Sequence, residues 1–73
     1  MTTIAESPLT RQQVRERLRF GDVALIAART RRTRGHVSQV LSGKRADRKV
    51  AVALARMLGV RLSDLPVELY EAA

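Results

Sequence analysis

Helix-start and helix-stop residues follow one another at short intervals along this chain, and they restrict its fold more than any other feature. Small polar residues that cap helix N-termini precede segments with helical spacing of apolar residues, and glycines follow several of these segments. No stretch of β-branched residues alternates with polar ones for long enough to suggest a sheet. Because 73 residues rarely hold more than one core, the sequence predicts a single all-α domain, a compact bundle of about five short helices.

The same signals place the individual helices. They are predicted over residues 11–19, 23–29, 34–42 and 48–58, with a short fifth helix beginning at residue 64. Their N-caps, in the same order, are Thr10, Asp22, Thr33, Asp47 and Ser63. Phe20, the only phenylalanine, is expected to fill the core. We expect residues 1–9 to form a flexible tail, residues 10–66 the domain, and residues 67–73 a C-terminal tail that contributes to dimerisation.

The net positive charge is concentrated in one part of the chain. Residues 29–49 hold eight basic residues and a single acidic one, Asp47, whereas the remaining residues hold six of each sign. A net charge of +7 confined to so short a stretch is expected of a surface that binds a polyanion, most often a nucleic acid. A solubilising surface would give the same charge, so that alternative stays open.

Several other classes of protein do not fit the composition. The absence of cysteine excludes disulfides, thiolate zinc sites and cysteine nucleophiles, and it suits a reducing cytoplasm. The single histidine, His36, has no cluster of partners for metal binding or acid–base catalysis. No apolar run approaches the roughly 18 residues of a membrane span, and the first residues do not resemble a signal peptide. We therefore expect a cytoplasmic protein that is not an enzyme and uses no metal, cofactor or membrane.

The second and third predicted helices have the spacing of a helix-turn-helix, since only three polar residues separate them. Ala27 is small enough to let the third helix cross closely, and Val37 and Val40 then face the interior. The outward side of the third helix comprises Gly35, Ser38, Gln39 and Ser42, with Arg34 and His36 on its flanks. This side is small, polar and free of carboxylates, as suits a DNA major groove, in which glutamine can pair with adenine and arginine with guanine.

These residues resemble the signature of the lambda-repressor-like helix-turn-helix domains of the Xre/Cro type. The resemblance rests on Ile26-Ala27 and on the run from Val37-Ser38-Gln39-Val40-Leu41 to Ser42-Gly43-Lys44-Arg45, and it extends over about residues 10–65. It implies that the third helix is the recognition helix, which reads bases from its N-terminal half and outward side. It also implies that Thr33, Lys44 and Arg45 hold phosphates.

Two sets of candidate DNA-binding residues follow from the outward side of the third helix, the basic turn and this resemblance. The candidate base-contacting residues are Arg34, Gly35, His36, Ser38 and Gln39. The candidate phosphate-contacting residues are Arg31, Arg32, Thr33, Ser42, Lys44 and Arg45. His36 has an alternative role in packing or phosphate contact, because a single histidine on the flank of a short helix is a weak base reader.

The turn departs from the pattern of that family. The family usually has glycine where this chain has Arg31, followed by an apolar residue where it has Arg32. A side chain in the left-handed conformation costs about 1 kcal/mol or more, so the turn either changes shape or accepts this cost. The aliphatic part of Arg32 is then available to replace the missing apolar residue.

Three functions are compatible with these features. The first is a sequence-specific transcriptional regulator, a small phage- or plasmid-type repressor that binds double-stranded DNA as a homodimer on a palindromic operator. Its candidate dimer contacts are Leu65, Val67, Leu69 and Tyr70, and packing in the core and a frayed chain end are equal alternatives for Leu69 and Tyr70. The second is the DNA-binding member of a protein pair, such as an antitoxin or anti-repressor, which an exposed apolar C-terminal segment would favour. The third, an architectural or single-strand binder, is disfavoured because the only two aromatic residues lie outside the basic stretch.

Overall fold

A computed structural model describes residues 9–71 of the chain. It contains four α-helices and two 3-10 segments, namely α1 (Arg11–Arg17), α2 (Asp22–Thr30), α3 (Arg34–Leu41), α4 (Arg48–Leu58), Leu62–Asp64 and Val67–Leu69. No strand occurs between residues 9 and 71, which confirms the predicted all-α class. Residues 1–8 of the predicted N-terminal tail and residues 72–73 of the C-terminal one lie outside the described residues.

Three of the predicted helix starts are confirmed by their capping hydrogen bonds. The hydroxyl of Thr10 accepts the N–H of Gln13, and the Gln13 side chain accepts the N–H of Thr10, so both halves of the capping box are present. Thr33 and Asp47 likewise accept backbone N–H groups from the first turns of α3 and α4. Local capping chemistry therefore sets where these three helices begin.

The turn between α1 and α2 differs from its prediction. The first helix ends at Arg17 rather than near residue 19. Asp22 does not cap α2, because its carboxylate accepts the N–H of Arg19 at 2.7 Å while its own N–H donates to the Arg19 carbonyl. This reciprocal pair closes a tight turn around Gly21, which adopts a left-handed conformation with φ of 90° and occupies the N-cap position itself.

The predicted fifth helix is replaced by the two 3-10 segments. Pro66 lacks an N–H and disfavours a helical conformation in the preceding residue, and Leu65 is accordingly extended with ψ of 156°. Ser63 lies within the first 3-10 segment and does not cap a helix. Within the predicted C-terminal tail, Leu69 is fully buried and its carbonyl accepts the N–H of Asp47 at 2.9 Å.

The core draws on every α-helix and on the C-terminal segment. Its buried residues are Val14, Ile26, Ala27, Val37, Val40, Leu41, Val50, Ala51, Leu54, Ala55, Leu65 and Leu69. Leu9 packs against this core, and its N–H donates to the Asp64 carbonyl at 2.7 Å, so the folded domain begins at least one residue earlier than predicted.

Phe20 does not fill the core as predicted, because its side chain is completely exposed in the turn before Gly21. Replacing Phe20 with alanine is therefore expected to change the free energy of unfolding by less than about 0.5 kcal/mol. The matched control, Leu54→Ala, removes a fully buried side chain and should cost about 2–5 kcal/mol. Urea denaturation of both variants measures the difference, and a loss for Phe20→Ala comparable to that for Leu54→Ala would contradict its exposed position.

Candidate nucleic-acid interface

The connection between α2 and α3 keeps a left-handed residue although it lacks glycine. Arg31 has φ of 58° and ψ of 39°, and it is the only non-glycine residue with positive φ within residues 9–71. The N–H of Arg31 donates to Ala28 at 3.4 Å, and the N–H of Arg32 donates to Ala27 at 3.0 Å. This is a Schellman arrangement, which satisfies the last carbonyls of α2. The expected cost of a side chain at this position is therefore present.

The end of α4 shows the same arrangement with glycine in the left-handed position. Gly59 has φ of 71°, and its N–H donates to Arg56 at 3.3 Å, while the N–H of Val60 donates to Ala55 at 3.0 Å. A Cβ added at Gly59 would meet no neighbouring atom within 4 Å. The two helix ends therefore differ mainly in whether the left-handed residue carries a side chain.

Exchanging the two residue types should move stability in opposite directions. Arg31→Gly is expected to raise the free energy of unfolding by about 1 kcal/mol, because glycine adopts the left-handed conformation without a steric penalty. Gly59→Ala is expected to lower it by about the same amount. Thermal unfolding of both variants tests the pair, with about 4–8 °C expected per kcal/mol in a domain of this size. A destabilised Arg31→Gly variant would show that the arginine side chain stabilises the fold.

The structure places most of the candidate base-contacting residues on the exposed side of α3. Val37 and Val40 are completely buried and Leu41 nearly so, as predicted, and this orients the helix. The exposed residues of α3 include Arg34, Gly35, Ser38 and Gln39. Ser42, immediately after α3, is half-buried, and its hydroxyl donates to the Gln39 carbonyl at 3.1 Å. The exposed side of α3 thus carries neither a bulky apolar group nor a carboxylate.

His36 is the exception among the candidate base-contacting residues. Its side chain is only 20% exposed, and its Nε2 lies 2.7 Å from an oxygen of Asp47. Its Nδ1 lies 3.1 Å from a guanidinium nitrogen of Arg45. Because arginine can only donate, Nδ1 must accept, so Nε2 carries the proton that it donates to Asp47. The base-contact prediction for His36 is corrected, since the imidazole is turned toward the start of α4.

Asp47 lies at the centre of a polar cluster, which we call the Asp47 cluster and which comprises Arg32, His36, Arg45 and Asp47. One carboxylate oxygen accepts the N–H groups of Lys49 and Val50, and the other lies 2.8 Å from Nε of Arg32 and 2.7 Å from His36. The sequence indicates the cap but not the contacts to Arg32 and His36, because only the folded chain brings those residues to the start of α4.

The surroundings of Asp47 keep its carboxylate charged. The side chain is only 9% exposed, and this burial raises its pKa. Hydrogen bonds from Arg32, His36 and the Val50 N–H outweigh the effect of burial and lower the pKa from 3.8 to about 2. The carboxylate is therefore ionised at neutral pH and fully occupied by donors within the protein.

The exposed charges of residues 29–49 are consequently all positive. All eight basic residues of this segment are exposed, namely Arg29, Arg31, Arg32, Arg34, Lys44, Arg45, Arg48 and Lys49. The side chain of Asp47, the single acidic residue of the segment, is largely covered and is paired with Arg32. A polyanion approaching this surface meets cations without an exposed carboxylate from the same segment.

The remaining phosphate candidates lie at the two ends of α3. Thr33 is exposed at the N-terminal end, where its hydroxyl accepts the N–H of His36 at 3.0 Å. Lys44 and Arg45 are exposed in the connection that follows the C-terminal end. Arg11 of α1 donates to the Ser42 carbonyl and lies 3.4 Å from Glu68, so it ties the end of α3 to the C-terminal segment. No spacing in the sequence indicated this contact.

The predicted dimer contacts are only partly at the surface. Leu65 and Leu69 are buried in the core of the single chain, so neither is available to a second copy. Val67 is 51% exposed and Tyr70 is half-buried. Leu65 and Leu69 are therefore removed from the predicted dimer interface, because their apolar side chains pack in the core beneath the 3-10 segments.

Comparison with models of protein families, with curated proteins and with solved structures finds no match to this chain. Within the described part of the chain, no helix combines the length and apolar character needed to cross a bilayer. The function is therefore inferred from the residues and geometry of the chain itself.

Proposed function

We propose that this protein is a sequence-specific regulator of transcription that binds double-stranded DNA, with α2 and α3 acting as a helix-turn-helix and α3 as the recognition helix. One observation carries the proposal. The exposed side of α3 is small, polar and free of carboxylates, and it lies in a segment whose eight basic residues are all exposed, while the side chain of its only acidic residue is 9% exposed and paired. A small polar helix face fits the major groove of duplex DNA, and exposed cations pair with its phosphates.

The exposed residues of α3 have the chemistry for direct readout of bases. Gln39 can form a bidentate pair with adenine, and Arg34 can form one with guanine. Gly35 and Ser38 are both small, so the axis of α3 can approach the base edges closely. A longer or acidic side chain at either position would hold the helix away from the groove or repel the phosphates.

The exposed cations around α3 are suited to the phosphate backbone. Lys44 and Arg45 follow the C-terminal end of α3, while Arg31, Arg32 and Thr33 precede its start. Arg32 and Arg45 are held by their contacts in the Asp47 cluster. Side chains that are already held in place lose less conformational freedom on binding, so these two arginines can contact phosphates at a lower entropic cost.

We further propose that the protein acts as a dimeric repressor of the small phage or plasmid type. A recognition helix of eight residues reads too few base pairs to specify one site in a genome, and a second copy doubles the site. Two copies would bind half-sites about 34 Å apart, one turn of the duplex. The alternative, an antitoxin or anti-repressor partner, would be favoured by an exposed apolar C-terminal segment. The burial of Leu65 and Leu69 reduces that surface for this alternative and for the dimer alike, and leaves Val67 and the half-buried Tyr70.

Selection of bound duplexes from a random pool tests this proposal. The selection should be carried out at about 150 mM salt with excess competitor DNA, because salt at this level suppresses purely electrostatic binding. Recovery of an inverted repeat is the expected result, and it would support both sequence specificity and a two-fold dimer. Recovery of no common motif would contradict sequence-specific binding.

Lys44→Ala combined with Arg45→Ala should weaken binding to every duplex and change its salt dependence. If each side chain neutralises one phosphate, the slope of log K against log salt should fall in magnitude by about 1.8. The matched control is Arg17→Ala with Arg19→Ala, which removes the same charge outside residues 29–49. Fluorescence anisotropy over a series of salt concentrations measures both slopes, and equal slopes for the two double variants would contradict the phosphate role.

A further inference from the structure

The basic surface of residues 29–49 extends into an open cleft between α2 and α4. The cleft has a volume of about 660 Å³, and its exposed cations are Arg29, Arg31, Arg48 and Lys49 from that segment and Arg56 beyond it. Two half-buried apolar residues, Val52 and Ala53, lie among them. Lys49, Val52, Ala53 and Arg56 occur at the spacing that places residues on one face of a helix. Among residues 9–71, no residue of α3 and no carboxylate lines this cleft.

The chemistry of this cleft differs from that of the exposed side of α3. Phosphate contacts in protein–DNA complexes come from arginine and lysine and also from neutral donors such as serine, threonine, asparagine and glutamine side chains. Within the described part of the chain, Thr30 is the only such neutral residue lining the cleft, and its buried hydroxyl already donates to the Ile26 carbonyl at 2.7 Å. The cleft therefore offers positive charge and an apolar surface, without the neutral donors found on α3.

We propose that this cleft binds an acidic amphipathic helix of a partner protein, a function that goes beyond DNA binding and uses no residue of α3. Apolar side chains one turn apart on such a helix would cover Val52 and Ala53. Carboxylates on the flanks of the same helix would pair with Arg29 on one side and Arg56 on the other. A duplex backbone would satisfy the cations but leave the two apolar residues without an apolar partner.

Binding of a designed peptide to the full chain tests this inference. The probe is a fluorescein-labelled helical peptide of about 14 residues, with leucines spaced four and then three residues apart on one face and glutamates on the flanks. A second peptide replaces the leucines with serine and keeps the charge. In anisotropy titrations, the leucine peptide is expected to bind about tenfold more tightly than the serine peptide, because only it covers the apolar surface.

Arg56→Ala combined with Val52→Ser tests the part of the cleft that lies outside residues 29–49. This double variant should bind the leucine peptide about tenfold more weakly than the unmodified protein. Its affinity for a DNA duplex should match that of an Arg17→Ala control within about twofold, because each variant loses one exposed cation outside residues 29–49. Circular dichroism establishes that both variants remain folded.

Three outcomes would overturn the inference. Equal binding of the two peptides would show that charge alone is recognised. A double variant that binds the peptide as tightly as the unmodified protein would show that the peptide occupies another surface. Weaker duplex binding than the control, with unchanged peptide binding, would assign the cleft to DNA phosphates. The peptide titration does not depend on DNA binding, so failure of either proposal leaves the other testable.

Discussion

Asp47→Ala is expected to lower the free energy of unfolding by about 3 kcal/mol, a large fraction of the stability of a small domain. The substitution removes the N-cap of α4, which is worth about 1 kcal/mol. It also leaves Arg32 and the partly buried His36 without the carboxylate that accepts from both of them, and a hydrogen bond to a charged group contributes about 1.5–3 kcal/mol. Chemical denaturation of the variant measures the total loss.

Asp47→Asn separates the two contributions. Asparagine is also a good N-cap, so this variant should keep the start of α4 while losing the charge that Arg32 and His36 contact. We expect its cost to lie between zero and that of Asp47→Ala, at about 1–2 kcal/mol. A total loss below about 1 kcal/mol for Asp47→Ala would mean that Asp47 acts only as a cap and that its contacts to Arg32 and His36 add no stability.

The same carboxylate predicts an acid-dependent loss of stability. The pKa of Asp47 is about 2 in the folded chain and 3.8 when the group is free, so the unfolded chain takes up the proton first. The resulting stabilisation, about 2 kcal/mol, is fully present above pH 3.8 and is lost as the pH falls through about 2. Asp47→Asn should therefore lose less stability over this interval than the unmodified protein. Parallel loss in the two proteins would assign the acid dependence to other carboxylates.

Gln39→Ala should produce the largest single-residue loss of sequence-specific DNA binding. Gln39 is exposed on α3, where its amide can both donate to and accept from one adenine edge. Its removal is expected to cost about 1–3 kcal/mol on the selected site and to relax the preference at one base position. Competition titrations with duplexes that vary one base pair at a time measure both effects.

Binding to random duplex provides the control for Gln39. If Gln39 reads a base, Gln39→Ala should bind random DNA as well as the unmodified protein does, since nonspecific binding is electrostatic. An equal loss on random and selected duplexes would instead make Gln39 a backbone contact. The fold should not change, because alanine is a strong helix former and the Gln39 side chain is exposed.

Local features of the sequence were sufficient to predict much of the helical framework. The bounds of α4 agree with the prediction at both ends, and Thr10, Thr33 and Asp47 cap the helices assigned to them. These features depend on residues three or four positions apart, which meet as soon as a turn of helix forms. The inward positions of Val37 and Val40 follow from the same short-range periodicity.

The predictions that failed are those that depend on distant parts of the chain. Phe20 was assigned to the core from its apolar character, yet the turn closed by Arg19 and Asp22 directs it to solvent. The C-terminal leucines were assigned to a dimer surface, but the space beneath the 3-10 segments buries them. Composition measures how apolar a residue is, whereas its burial depends on which elements pack around it.

The candidate site shows the same division between local and long-range information. The excess of positive charge in residues 29–49 and the small polar side of α3 are properties of residue order, because charge and helical period do not depend on packing. Tertiary structure alone decided that Asp47 meets Arg32 and His36, which lie 15 and 11 positions away in the chain. That packing buries the one carboxylate of the segment, since charged partners from separate elements can replace water around it only after those elements have come together.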